Sequence, residues 1–183
     1  MKISIVTGNK YKLEEFHQIL GEGIELEQLD IDLPEIQETD AKAVIEAKLK
    51  EAVKHTDNLV IVEDTGLYFN AWNGLPGVLI KWFDKTVGNK GVVDMLAKFD
   101  DKSAYGQCTI GLAAKGKKPV FFKGAIKGTI IPPRGNCRFG WDPIFIPENH
   151  TKTFGEMSKE EKNTLSMRKI ALEKLKQYLA ETQ

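Results

Sequence analysis

Residues 3–21, ISIVTGNKYKLEEFHQILG, change periodicity half-way along. Ile3 to Val6 is a short apolar run closed by a turn, the pattern of a buried strand. Gly8 breaks the run, and Asn9 is an N-cap type of residue at the head of a helix beginning near Lys10. In that helix Leu13, Phe16, His17 and Leu20 recur at i, i+3, i+4 and i+7, so they share one face, and Gly21 ends it. A strand feeding a helix in this way opens an α/β unit.

Working outward, Ile24 to Leu29 reads as a second strand that leads into IDLPEIQE, residues 31–38. A helix is expected from about Asp40 to His55, with Val44, Ile45, Leu49, Ala52 and Val53 inward. Leu59 to Val62 reads as a third buried strand ending at Glu63, Asp64, Thr65 and Gly66. Asn73 to Gly77 reads as a loop and Val92 to Phe99 as a helix. Residues 104–114 alternate, with Cys108, Ile110 and Leu112 on one face; after a GKK turn Val120, Phe122, Ile126 and Ile130 alternate likewise, giving an antiparallel hairpin. Ser158 and Glu161 have capping-box spacing, and a final helix carries Leu172, Leu175 and Leu179. The βαβα order followed by a hairpin predicts an α/β fold with a mixed sheet, its site beyond strand ends where loops meet helix N-termini. No repeat, low-complexity stretch or linker divides the chain, so residues 1–183 read as one domain.

Composition narrows the function classes. At 183 residues the chain can build one substantial core. Lys plus Arg and Asp plus Glu number 26 each, and this balance argues against a duplex-binding surface, which needs excess cations. A small cationic pocket for one triphosphate remains compatible with it. Cys108 and Cys137 make neither a disulfide scaffold nor, with His17, His55 and His150, a zinc site. The apolar run at the N-terminus is too short for a signal peptide or a membrane span, so no membrane partner and a reducing cytoplasm are expected.

Four segments carry chemistry. TGNKYK, residues 7–12, offers free backbone N–H groups, a close backbone at Gly8 and the charges of Lys10 and Lys12, which suit a phosphate. It lacks P-loop spacing, and by itself it also fits a capped surface helix. VEDTG, residues 62–66, places two adjacent acids after a buried strand. Alternation sends Glu63 and Asp64 to opposite faces, so one can act in a cleft while the other is structural or solvated. Glu35 and Asp64 would suit magnesium, which takes a few carboxylates with water and phosphate oxygens; turn acids would look the same. In PPRGNCRFGWDPIFIP, residues 132–147, Phe139 and Trp141 could stack on a base and Asp142 could accept from ring N–H groups, although packing beneath a loop is the plainer reading. Lys162 and Arg168, in EMSKEEKNTLSMRK, lie near the start of the last helix, where a charged face is also an ordinary finding.

Taken jointly, these segments resemble the inosine triphosphate pyrophosphatase family, which hydrolyses non-standard purine triphosphates. TGNKYKLEE, DLPEIQE, VEDTGL, GLPG-x-x-IKWF, DKSAYGQCT, PRG-x-x-x-FGWDPIF and EKN-x-x-S-x-R stand in the family's order across residues 3 to 179. IKWF, DKSAY and FGWDP are similar to the eukaryotic members. The resemblance implies an elongated, two-lobed α/β domain around a long mixed sheet, acting as a homodimer. It also implies hydrolysis of ITP, dITP and XTP to a monophosphate and pyrophosphate. It assigns phosphate binding to Thr7, Gly8, Asn9, Lys10, Tyr11 and Lys12. It assigns Mg²⁺, with Mn²⁺ as a substitute, to Glu35 and Asp64, and proton acceptance to Asp64. Lys48, Thr65 and Lys81 would contact the nucleotide chiefly on its phosphate side. Phe139, Gly140, Trp141, Asp142, Lys162, Met167 and Arg168 would form the base pocket. The family usually reads S-H-R where this chain has Ser166, Met167 and Arg168, and methionine cannot donate to a purine 6-oxo group as histidine can. Rival readings are a pyrophosphatase for pyrimidine or modified triphosphates, and a catalytically silent nucleotide sensor. The retained Glu35, Asp64, Lys12 and Lys162 count against silence.

Overall fold

The computed structural model describes residues 2–21, 23–135 and 140–182; Cys137, Phe139 and the side chains of Lys10 and Tyr11 lie outside the described residues. The chain begins with strand β1 (Lys2–Val6), helix α1 (Lys10–Leu20), β2 (Glu25–Leu29), α2 (Ala41–Ala52) and β3 (Leu59–Phe69). β1 lies between β2 and β3 and runs parallel to both, as βαβ connections require. A 3-10 turn (Asn70–Trp72) then leads to β4 (Pro76–Gly77), α3 (Ile80–Leu96), the hairpin β5 (Ser103–Ala113) and β6 (Val120–Ile130), and β7 (Phe145–Pro147). Two helices close the chain, α4 (Lys159–Leu165) and α5 (Met167–Glu181). The seven strands form one sheet in the order β2-β1-β3-β5-β6-β7, with β4 paired to β3. β3 is its pivot, parallel to β1 on one side and antiparallel to β5 on the other. The expected mixed α/β sheet is present.

The two faces of the sheet are covered unequally. On one, Ile5, Ile61, Leu67 and Phe69 pack with Phe16 and Leu20 of α1, Val92 and Leu96 of α3, and Leu172 and Leu175 of α5. On the other, Ile45, Leu49 and Ala52 of α2 cover Val60, Val62 and Ala113. Each fully buried large side chain contributes about 1.5–3 kcal/mol, so both faces are held chiefly by this packing. α5 lies so close to β6 that a Cβ at Gly124 would collide with the carbonyl of Met167.

Three sequence expectations need correction. β3 continues through Glu63, Asp64, Thr65 and Gly66 to Phe69, because β5 pairs with it along that whole stretch. Gly66 stays in the strand because β4 crosses there; a Cβ would lie 2.9 Å from the Gly77 backbone. The helix expected from Val92 begins at Ile80 and kinks at Gly88, whose φ of 65 no helical residue shares. Its buried residues are only Ile80, Val92 and Leu96, too sparse to mark the first turns by periodicity. The last helix is two, since Ser166 is extended and caps α5 by accepting from the Lys169 N–H.

Candidate active site

The site is built around the middle of β3, where alternation sends Glu63 and Asp64 to opposite faces as expected. Asp64 follows Val60 and Val62 on the α2 face. There Lys48 interrupts the apolar stripe of α2 and is buried with it. Its ammonium lies 3.4 Å from Glu35 Oε1 and 4.0 Å from Asp64 Oδ1. Lys81, from the first turn of α3, donates to both Glu35 oxygens at 2.8 and 2.6 Å. Two carboxylates and two ammonium groups thus converge from the segment after β2, α2, β3 and α3. Burial pushes the Asp64 carboxyl up, reinforced by Glu63 and Glu35 and only partly opposed by Lys48 and Lys12. Burial acts on Glu35 as well, but Lys81 and Lys48 outweigh it and hold Glu35 low. Among the described residues no three His, Cys, Asp or Glu side chains form a complete protein cage for a metal. Two carboxylates are nonetheless a fitting donor set for magnesium, which leaves its remaining positions to water and phosphate oxygens.

On the opposite face Glu63 is almost fully enclosed, its side chain 4% exposed. Its Oε1 accepts from Thr65 Oγ1 at 2.6 Å, from Lys12 Nζ at 3.3 Å and from Arg168 at 3.4 Å; Oε2 accepts from Arg168 Nε at 3.1 Å. Arg168 also donates to Glu15 of α1. Burial alone would raise the Glu63 carboxyl, but Arg168 and Lys12 hold it well below the usual carboxylate range. The loop before α1 is ordered locally: Thr7 Oγ1 accepts from the Asn9 N–H at 3.1 Å, and Asn9 Oδ1 from the Lys12 N–H at 3.4 Å. Gly8 has an open surface, its nearest neighbour for an added Cβ being Asp30 at 3.7 Å.

The expected base side lies on this face too. Asp142 and Lys162 are buried and paired at 2.5 Å, and the ammonium sits 5.4 Å from the centre of the Phe154 ring. Trp141 packs edge-on to Phe145 and, with Met167, over Gly106, where a Cβ would lie 2.8 Å from the indole and 3.5 Å from the Met167 sulfur. Gly140 takes a positive φ of 53 and its carbonyl accepts from Asn89 Nδ2 at 2.9 Å. α4, which carries Lys162, is tied to α1 by Lys159–Glu14 at 3.1 Å and Asn163–Gln18 at 3.0 Å. The expected base side and the expected phosphate side therefore meet on α1.

Residues 3–178 match the Ham1 family. The chain belongs to the Ham1 family. It is 49% identical over 183 residues to the inosine triphosphate pyrophosphatase of Yarrowia lipolytica, covering 99% of this chain and 97% of that protein. A solved HAM1 protein from Coxiella burnetii superposes with a TM-score of 0.87 at 30% identity, over 99% of each chain. A nucleoside-triphosphatase / dITP/XTP pyrophosphatase from Mycobacterium abscessus gives a TM-score of 0.76 at 29% identity, over 96% of this chain and 98% of that one.

Within this Ham1 chain, Glu35, Lys48, Asp64 and Lys81 form one cluster; Lys12, Thr65 and Arg168 form another; Trp141, Asp142, Lys162 and Met167 form a third. Sequence reading left Glu63 as structural or solvated and did not single out Glu15. A usable signal was present: alternation from Ile61 puts Glu63 on the enclosed face, where a carboxylate needs cations.

Proposed function

We propose that this Ham1-family chain hydrolyses the non-standard purine nucleoside triphosphates ITP, dITP and XTP to the monophosphate and pyrophosphate. The observation that carries the reading is the convergence of Glu35, Asp64, Lys48 and Lys81, a carboxylate pair ringed by lysines. The names of the Yarrowia and Mycobacterium relatives point to the same substrates.

Glu35 and Asp64 would hold Mg²⁺, or Mn²⁺ in its place, which supplies charge neutralisation on the phosphates when bound. Asp64 orients the attacking water and takes its proton. Thr7 to Lys12 receive the triphosphate, and Lys12, Lys48 and Lys81 oppose the charge that grows as pyrophosphate leaves. Thr65 adds a hydroxyl on that side. Phe139, Gly140, Trp141 and Asp142, with Lys162, Met167 and Arg168, bound the base, and the Asp142 carboxylate accepts from purine N1–H. The family resemblance supports a homodimer as the active form, and the compartment proposed is the cytoplasm.

Hydrolysis of ITP in ¹⁸O-water tests the bond cut. Attack at the α-phosphorus puts the label in IMP with unlabelled pyrophosphate. Label in orthophosphate, with IDP as co-product, rejects the assignment.

A further inference from the structure

Glu63 takes no direct part in this reaction. Stability alone does not call for a buried carboxylate paired with an arginine, since apolar side chains of similar volume serve as well or better. Glu63 is arranged for something else. The oxygen that takes Thr65 and Lys12 is also held by Arg168, and among the described residues the second oxygen accepts from Arg168 only. Arg168 in turn is 2% exposed and braced by Glu15, so its planar fork fixes the carboxylate from behind. Lys12 differs from these partners: its side chain is 23% exposed, so part of it faces solvent while Glu63 holds it from within. Two negative and two positive groups make the network neutral, and it joins α1, β3 and α5 at one atom.

We infer that Glu63 is a positioning residue that presents Lys12 and Thr65 to the triphosphate and is itself fixed by Arg168. The inference rests on the reading that Lys12 and Thr65 meet the phosphates. The two adjacent acids of β3 then have separate roles. Asp64 serves the metal and the water, whereas Glu63 sets the posture of the groups that bind substrate. Arg168 contributes to binding through Glu63.

The test combines steady-state ITP hydrolysis at saturating Mg²⁺ with calorimetric binding of inorganic tripolyphosphate. Wild type, Glu63→Gln, Lys12→Ala and the double variant are compared. Glu63→Gln should raise both KM for ITP and Kd for tripolyphosphate on the order of tenfold, the loss of one charged hydrogen bond. Its kcat should stay within about threefold, a split that a general loss of structure would not give. In the Lys12→Ala background the same substitution should add clearly less, because only the part of its effect that passes through Thr65 remains. Equal penalties in both backgrounds, or unchanged KM and Kd in folded Glu63→Gln, overturn the inference. Should Glu63→Gln fail to fold with Arg168 left unbalanced, Glu63→Gln/Arg168→Met removes both charges and must show the same rise in Kd for tripolyphosphate, which has no base; wild-type Kd there overturns it. Failure of both variants to fold makes the carboxylate structural and also overturns it. If wild type releases no pyrophosphate from ITP, the proposed function falls, and the tripolyphosphate cycle still decides the coupling between Glu63 and Lys12. Wild type that binds no tripolyphosphate overturns both.

Discussion

Glu63 and Asp64 are consecutive residues of one strand, both taken largely out of water, yet their carboxyls shift in opposite directions. For Asp64 burial prevails: the nearest ammonium, Lys48, stands 4.0 Å away and is shared with Glu35. For Glu63 the two-point grip of Arg168, with Lys12 and Thr65, overcomes a burial that is more complete. Burial thus sets the size of what is at stake, and contact geometry sets its sign. The first acid is held in its ionised form, and the second lacks such a grip.

The largest effect expected from this contrast is on turnover. Asp64→Asn should lower kcat for ITP by about 10²- to 10⁴-fold while the protein stays folded, since a well-placed base contributes that much. Pyrophosphate release at saturating Mg²⁺ is the measurement, and near-normal kcat would erase the distinction between the two acids. Next comes acid stability. The depressed Glu63 carboxyl stabilises the fold above the ordinary glutamate value of 4.5, and that contribution is lost as pH falls below it. Its slope is at most about 1.4 kcal/mol per pH unit. Asp64 works the other way, because its raised carboxyl lets the folded state take up a proton more readily. The urea midpoint of wild type should therefore fall more steeply between about pH 5 and about pH 3 than that of Glu63→Gln. Parallel curves would show that Glu63 is not held ionised by the fold. The smallest effect belongs to the base side, where Met167 offers sulfur in place of a hydrogen-bond donor. Met167→His should raise the ITP/ATP ratio of kcat/KM by up to about tenfold, the worth of one neutral hydrogen bond, without altering metal dependence. An unchanged ratio would mean that residue 167 does not face the purine 6-oxo group.

Much of this was legible in the residues alone. The junction of β1 and α1, the β5–β6 hairpin and the Ser158–Glu161 capping box all follow from local pattern, and each is present. The extension of β3 through its acids was not legible. Two acids, a threonine and a glycine read as a turn; here the strand continues because β5 pairs with it, and Arg168, 105 residues away, supplies the charge that makes the burial of Glu63 tolerable. No window of sequence contains both. The inward turn of Lys48 was hidden for a related reason: an apolar helical stripe gives no sign that one of its members is a lysine reaching for two acids. Family resemblance named Lys48 and Arg168 as ligands, but only the fold shows that Arg168 spends its hydrogen bonds on Glu63 and Glu15.

Gly124 has a bearing on how the site tolerates change. With no side chain on β6 at that point, the first turn of α5 rests main chain on main chain, stopped by the Met167 carbonyl and the Ala171 N–H. A stop made of backbone does not depend on the identities of the side chains further along. Lys174 and Lys176, exposed on α5, add only side-chain bonds to the carbonyls of Lys123 and Ile19, and the depth of Met167 and Arg168 is set by the backbone stop. One added methyl group at position 124 would instead lift residues 167 and 168 together, so the packing of Met167 over Gly106 and the grip of Arg168 on Glu63 would lose their register in a single step.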